Sequence, residues 1–237
     1  MDDIRMLLRS MAKQMDIKIT PEQAEQFQIY FEMLVEWNEK INLTAITDPA
    51  GVAEKHFIDS LTLLTQCRIK PGAKLCDVGT GAGFPGLPVK ILRPDIQLTL
   101  LDGQNKRLQF LGEVCGKLGM EAQRIHKRAE EAGRVTTMRE SFDVVTARAV
   151  APLNVLAEYC LPLTKMKGLF LAMKGPGAEK ELEQAENALE LLGGHKAQVI
   201  SFTLPEAGER SIVEVQKLGF TPKDYPRHGG TIVKHPL

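Results

Sequence analysis

Lys74-Leu75-Cys76-Asp77-Val78-Gly79-Thr80-Gly81-Ala82-Gly83-Phe84-Pro85-Gly86 is the stretch whose reading decides the fold. Leu75, Cys76 and Val78 form a short apolar run suited to a buried strand, and the glycines at 79, 81 and 83 end it. Pro85 and Pro88 stand where a helix can begin, because proline's missing N–H costs nothing in the first turn. Strand, glycine loop and helix in that order let backbone N–H groups approach a nucleotide-like ligand closely. Two registers are open. Gly81, Gly83 and Gly86 spell the dinucleotide GxGxxG, whereas Gly79, Gly81 and Gly83 after Asp77 spell D-x-GxGxG. Asp102 closes the next apolar run (97–101), about 20 residues on, where a ribose-binding carboxylate is expected. Asp102 suits either register, so it points to a nucleoside and not to a chemistry. A glycine turn without a ligand explains the loop less well, since alternating glycines are costly in chain entropy.

Before this unit the chain reads as helical. Ile4, Leu7, Leu8 and Met11 predict a helix over 1–15. Thr20-Pro21-Glu22-Gln23 is an N-cap, a proline at the first helical position and a capping-box glutamine. Phe27, Tyr30, Phe31, Leu34 and Trp37 follow on one helical face, and Asp48-Pro49 opens a further helix carrying Val52, His56 and Leu61 or Leu64. The expected organisation is an N-terminal helical extension over 1–70 packed on a nucleotide-type domain over 71–237.

After the loop, strands are expected over 98–101, 142–146, 169–173, 197–203 and 212–217, the last two as a hairpin. Helices are expected over 108–118, 153–159 and 178–192. This alternation predicts an α/β fold, a mostly parallel sheet with helices on both faces. Ligands of such sheets bind beyond the carboxyl ends of the strands. That rule selects 79–83, Asp102-Gly103, Ala129-Glu130, Arg148 and Lys174 as a single site.

Composition narrows the classes. The 237 residues are 43% hydrophobic and 25% charged, and no apolar run is long enough to span a bilayer. Met1-Asp2-Asp3 is acidic and lacks the basic start and apolar core of a signal peptide, so the cytoplasm is the expected location. The cysteines at 67, 76, 115 and 160 have no metal or disulfide spacing, and no metal is expected. Net charge is zero, yet residues 1–60 are acid-rich, while Lys106, Arg107, Lys117, Arg124, Lys127 and Arg128 cluster in the middle. A neutral molecule can still present one basic face, which permits an RNA partner. No apolar stripe stands out, so a monomer is expected.

Taken in order, Trp37-Asn38, Asn42-Leu43-Thr44, His56-Phe57, Asp59-Ser60-Leu61, Asp77-Val78-Gly79-Thr80-Gly81-Ala82-Gly83-Phe84-Pro85-Gly86, Arg128-Ala129-Glu130, Arg148-Ala149-Val150, Lys174-Gly175 and Tyr225-Pro226-Arg227 resemble a known family. It is the bacterial small-subunit ribosomal RNA guanine-N7 methyltransferase G family, also called glucose-inhibited division protein B. The D-x-GxGxG register is the methyltransferase style of the loop. The resemblance implies a class I S-adenosylmethionine-dependent methyltransferase (Rossmann-like) fold. It also implies methylation of N7 of one guanine in 16S rRNA, presented as a 30S subunit or an assembly intermediate.

Carried over, the resemblance puts Gly79, Gly81, Gly83, Phe84, Ala129, Glu130 and Arg148 at the cofactor, with Asp102 in the ribose position. Arg148 and Lys174 are the expected groups for the guanine edge or its phosphate, since guanidinium and ammonium donors suit both. Lys174, Tyr225 and Arg227 are the expected RNA contacts, and His56 is expected to be structural. N7 loses no proton on methylation, so alignment can suffice without a dedicated base. The segment after the expected strand at 142–146, Thr146-Ala147-Arg148-Ala149-Val150-Ala151-Pro152, lacks the Asn/Asp-Pro-Pro-aromatic motif common in exocyclic amine methylation. Cys160 sits in an apolar helix stripe and reads as core, not as a nucleophile. A NAD-linked oxidoreductase, a methyltransferase for proteins or small molecules, and an RNA-binding or assembly protein that keeps cofactor binding without turnover are the rival readings.

Overall fold

A computed structural model describes residues 3–237; Met1 and Asp2, part of the acidic start, lie outside the described residues. The chain opens with α1 (Arg5–Gln14) and α2 (Pro21–Asn38), then α3 (Pro49–Gly51), a π-helical turn (Val52–Ile58) and α4 (Asp59–Gln66). There follow β1 (Lys74–Val78), α5 (Gly86–Leu92), β2 (Gln97–Asp102), α6 (Asn105–Leu118), β3 (Gln123–His126) and α7 (Ala129–Ala132). The second half holds β4 (Phe142–Arg148), α8 (Leu153–Cys160), β5 (Thr164–Lys174), α9 (Ala178–Leu191), β6 (Gly194–Leu204), β7 (Gly208–Lys217) and α10 (Gly229–Lys234).

The strands form one seven-stranded sheet in the order β3-β2-β1-β4-β5-β7-β6. Neighbours among β1 to β5 pair in parallel, and β7 runs antiparallel to both β5 and β6. The central strands are covered on both faces, so β1 and β2 are buried along all but their first residue. Strand order reverses between β1 and β4. The crevice beyond their carboxyl ends is the topological switch point, where open α/β sheets bind ligands.

One face carries the N-terminal helices. Thr20 Oγ1 accepts from the Gln23 N–H at 3.2 Å and Gln23 Oε1 accepts from the Thr20 N–H at 3.0 Å, which closes the capping box of α2. That helix then buries Phe27, Tyr30, Phe31 and Leu34 in one cluster with Phe57, Leu75, Leu100 and Phe110. The Phe27 and Phe57 rings lie 4.8 Å apart, and Tyr30 and Phe84 stack at 5.5 Å. The extension therefore shares its core with the sheet. On the other face, Leu156 and Cys160 of α8 and Ala188 and Leu189 of α9 pack on Val145, Phe170 and Val213.

Three elements escaped the sequence reading. The edge strand β3 is polar and mostly exposed, so it shows no apolar alternation. The helices α7 and α10 are too short to display a 3.6-residue period. The helix expected after Pro49 is present, but it carries the π-helical turn, which apolar spacing does not reveal. No described helix is long and apolar enough to cross a membrane.

Candidate active site

The carboxyl ends of β1, β2 and β4 open into a cavity of about 970 Å³. Gly79, Gly81, Phe84, Asp102, Ala129, Glu130 and Arg148 all line it, as do Leu43, Thr44, His56, Arg107 and Tyr159. Gly81 has φ +57°, and a Cβ there would meet nothing closer than the Gly79 carbonyl oxygen at 3.9 Å. The loop thus shows bare backbone to the cavity. Asp102 Oδ2 accepts from the Gly81 N–H at 2.9 Å and Oδ1 accepts from the Gln104 N–H at 2.8 Å. These bonds fix the carboxylate at the end of β2 while leaving lone pairs for a ligand. Arg107 Nη1 lies 3.5 Å from Asp102 Oδ2. Beneath the loop, Asp77 Oδ2 accepts from Thr80 Oγ1 at 2.6 Å and from the Gly86 N–H at 2.9 Å. Its Oδ1 is buried without a partner, and burial pushes the carboxyl up to about 6.

At the other end of the cavity, the Arg148 guanidinium lies over the Phe84 ring, 5.0 Å from its centroid. Asp59 Oδ2 accepts from Arg148 Nη1 at 2.9 Å. The His56 ring stacks on Phe84 at 4.6 Å, with Nε2 at 2.7 Å from Thr44 Oγ1. Burial, with the Arg148 charge beside it, holds His56 down to about 4, so the ring is neutral at physiological pH. Its expected structural role is incomplete: it is also part of the cavity wall. The Asn42-Leu43-Thr44 segment reaches the cavity because Asn38 Oδ1 accepts from the N–H groups of Leu43 and Thr44.

Four expected residues stand elsewhere. Gly83 does not line the cavity; a Cβ there would lie 2.5 Å from Tyr30 Oη and 2.8 Å from Leu111, so the position serves close packing. Tyr30 in turn donates to the Ala82 carbonyl, tying α2 to the loop. Lys174, at the end of β5, donates to the Ala151 carbonyl at 2.8 Å and pairs with Glu181 at 2.7 Å. It braces the wall segment 149–152 from behind and is only 10% exposed. Arg227 is committed to Glu158, through Nε at 2.9 Å and Nη2 at 2.7 Å, with the carboxylate 1% exposed. Tyr225 lies beside that pair, its ring 5.8 Å from the guanidinium carbon, and is not among the cavity-lining residues.

The residues at the β2 end fit a nucleoside-bearing cofactor. Bare glycine backbone, a fixed carboxylate and the half-apolar Ala129 and Tyr159 wall supply what a ribose and an adenine require. Among the described residues, no group of histidine, cysteine and carboxylate side chains is placed to hold a metal ion.

Comparison with known proteins bears on this geometry. Residues 23–213 match the family model described as rRNA small subunit methyltransferase G. A ribosomal RNA small subunit methyltransferase G from Desulforamulus reducens is 47% identical, covering 100% of both chains. One from Lactobacillus delbrueckii subsp. bulgaricus is 52% identical over 94% of this chain and 95% of its own. Among solved structures, a SAM-dependent O-methyltransferase from Thermotoga maritima superposes with a TM-score of 0.55 at 14% identity, covering 80% of this chain and 72% of that one. A methyltransferase from Pyrococcus furiosus gives 0.54 at 14% identity, covering 83% of this chain and 100% of that one. At such identities the likeness is one of fold, and that fold is the class I methyltransferase sheet.

Proposed function

The chain belongs to the rRNA small subunit methyltransferase G family, and on that premise we propose that it methylates N7 of one guanine in 16S rRNA, using S-adenosylmethionine. The observation that carries the reading is the single cavity joining the Gly81–Asp102 hydrogen bond to the Arg148–Phe84 stack.

Gly79, Gly81, Asp102, Ala129 and Glu130 would hold S-adenosylmethionine. When bound, it supplies a sulfonium methyl group that needs no further activation. Phe84 and Arg148, also expected at the cofactor, join His56 and Thr44 at the end that receives the base. The N7 lone pair attacks without losing a proton, so no side chain has to act as a base. A neutral His56 and a permanently charged Arg148 suit that requirement. Guanidinium donors suit guanine O6 or a phosphate oxygen, and transfer requires that Arg148 pair there and not with N7 itself. The base becomes cationic on methylation, and the Asp59 carboxylate beside Arg148 offsets the guanidinium charge. A pyrimidine C5 mechanism would need a thiolate. Cys160, the residue weighed for that role, is fully buried, and burial drives its thiol far up.

On this reading Lys174 orders the wall over which the guanine enters, and the RNA face is made by Lys127 and Arg128 at the cavity rim. The enzyme acts in the cytoplasm, as a monomer, on a 30S subunit or an assembly intermediate. Tritium transfer from labelled S-adenosylmethionine to 16S rRNA, 30S particles and bulk protein tests it. The expected product is 7-methylguanine in 16S rRNA. Label in protein alone, or cofactor binding with no RNA product, overturns it.

A further inference from the structure

The π-helical turn Val52–Ile58 has a register that serves Arg148. The Asp59 N–H donates to the carbonyls of Glu54, five residues back, and of His56. An α-helix would aim it at the carbonyl of Lys55, four residues back. The Lys55 carbonyl instead accepts from Arg148 Nη1 at 3.0 Å, and Asp59 Oδ2 accepts from the same nitrogen at 2.9 Å. Arg148 Nη2 lies 3.4 Å from His56 Nδ1, and Phe84 underlies both the ring and the guanidinium. The turn is itself anchored: Glu54 Oε1 accepts from the N–H groups of Glu206 and Ala207 at the tip of the β6–β7 hairpin, at 2.6 and 3.1 Å. Arg210 of that hairpin brings Nε to 3.7 Å from Asp59 Oδ1.

We infer that this turn is a cradle built for Arg148, and that Asp59 and His56 are positioning residues for methyl transfer, acting through its guanidinium. Asp59 and Lys55 supply a carboxylate and a carbonyl to one planar cation, and the His56 imidazole lies against both, its Nδ1 3.2 Å from the Lys55 carbonyl oxygen and 3.4 Å from Arg148 Nη2. Such a hold removes rotamer freedom from a long side chain before the substrate arrives. It also uses the π register, because the carbonyl given to Arg148 is the one an α-helix would have aimed at the Asp59 N–H. The inference rests on the base-positioning role given to Arg148 above.

The test compares Asp59→Asn, Arg148→Ala and the double variant of the full chain. It measures kcat and KM for methyl transfer to 30S particles, and S-adenosylmethionine affinity by calorimetry. Asp59→Asn is expected to lower kcat by about tenfold or more while cofactor affinity stays within about threefold, and the double variant to be no slower than Arg148→Ala. Added guanidinium is expected to restore part of the activity of Arg148→Ala but not of the double variant. Wild-type turnover in Arg148→Ala overturns the role of Arg148 and the inference with it. Impaired Arg148→Ala beside unimpaired Asp59→Asn, or additive losses, or equal guanidinium rescue of both backgrounds, overturns the inference alone. If Asp59→Asn fails to fold, His56→Gln decides, because it loosens the guanidinium without touching the ion pair. Because His56 also lines the cavity, the cradle is supported by a kcat loss that disappears when His56→Gln is combined with Arg148→Ala, and is overturned by an additive loss or by none.

Discussion

Gly81 and Gly83 are two positions apart in one loop and meet different demands. Gly81 presents its backbone to the cavity, whereas Gly83 lies under Tyr30 and Leu111. Gly83→Ala is expected to destabilise the protein by about 1–3 kcal/mol, since overpacking a buried contact displaces its neighbours. Gly81→Ala has room for its methyl group but strains a backbone at φ +57°, and it is expected to weaken cofactor binding while lowering the melting temperature less than Gly83→Ala. Calorimetry and thermal melts on the two variants check the contrast. His56 makes a pH prediction. Its folded value of about 4 lies below the ordinary 6.5, so the unfolded chain binds the proton more readily. Stability contributed by the neutral ring is complete above 6.5 and is lost as pH falls through that window towards 4. His56→Gln is expected to remove about 3 kcal/mol of acid-side loss. Asp77 works in the opposite sense: raised to about 6, it relieves strain as pH falls below that value, so its own variant Asp77→Asn is the control. Urea titrations between pH 4 and 7 measure both. Sequence could name these residues but could not say which glycine faced the cavity or that His56 was desolvated, because both depend on what packs against them.

At the scale of elements, the strongest local signals were realised. The Thr20 capping box, the apolar face of α2 and the run ending at Val78 are local patterns, and each formed as read. Polar edges and very short helices carried no such pattern. The loop carrying Tyr225 and Arg227 is basic and aromatic, which suits RNA. The fold nevertheless assigns Arg227 to Glu158 of α8, a residue 69 positions away. Arg227→Ala would strand a buried carboxylate and is expected to cost about 3–5 kcal/mol in stability. Denaturant unfolding beside an RNA-binding isotherm checks it, the stability loss being the larger effect. Lys217 offers a parallel case. Fully buried, it donates to the Leu161 carbonyl and Thr221 Oγ1 and pairs with Glu140, and burial pulls its ammonium down to about 8.

For the whole molecule, the first helices are not an appendage. Phe27, Tyr30, Phe31 and Leu34 share one core with β1, β2 and α6. A chain lacking residues 1–46 would expose Phe57, Phe84 and Phe110 together. It is expected to lose near-ultraviolet circular dichroism and to bind a hydrophobic dye, which compares directly with the full chain. The cavity likewise belongs to the whole: β1 and β2 supply the end lined by glycine backbone and Asp102, while β4 and the π-helical turn supply the cationic end. By itself the sequence determined the strand–glycine-loop–helix unit, the α/β alternation and the end of the sheet at which the cavity opens. Those follow from local spacing, glycine conformation and the handedness of parallel crossovers, all of which act over short stretches of chain. Only the tertiary structure decided which cations line the cavity and which stand away from it. Arg148 meets Asp59 across 89 residues and Arg227 meets Glu158 across 69, and an ion pair at such separation leaves no periodic trace in the chain that makes it.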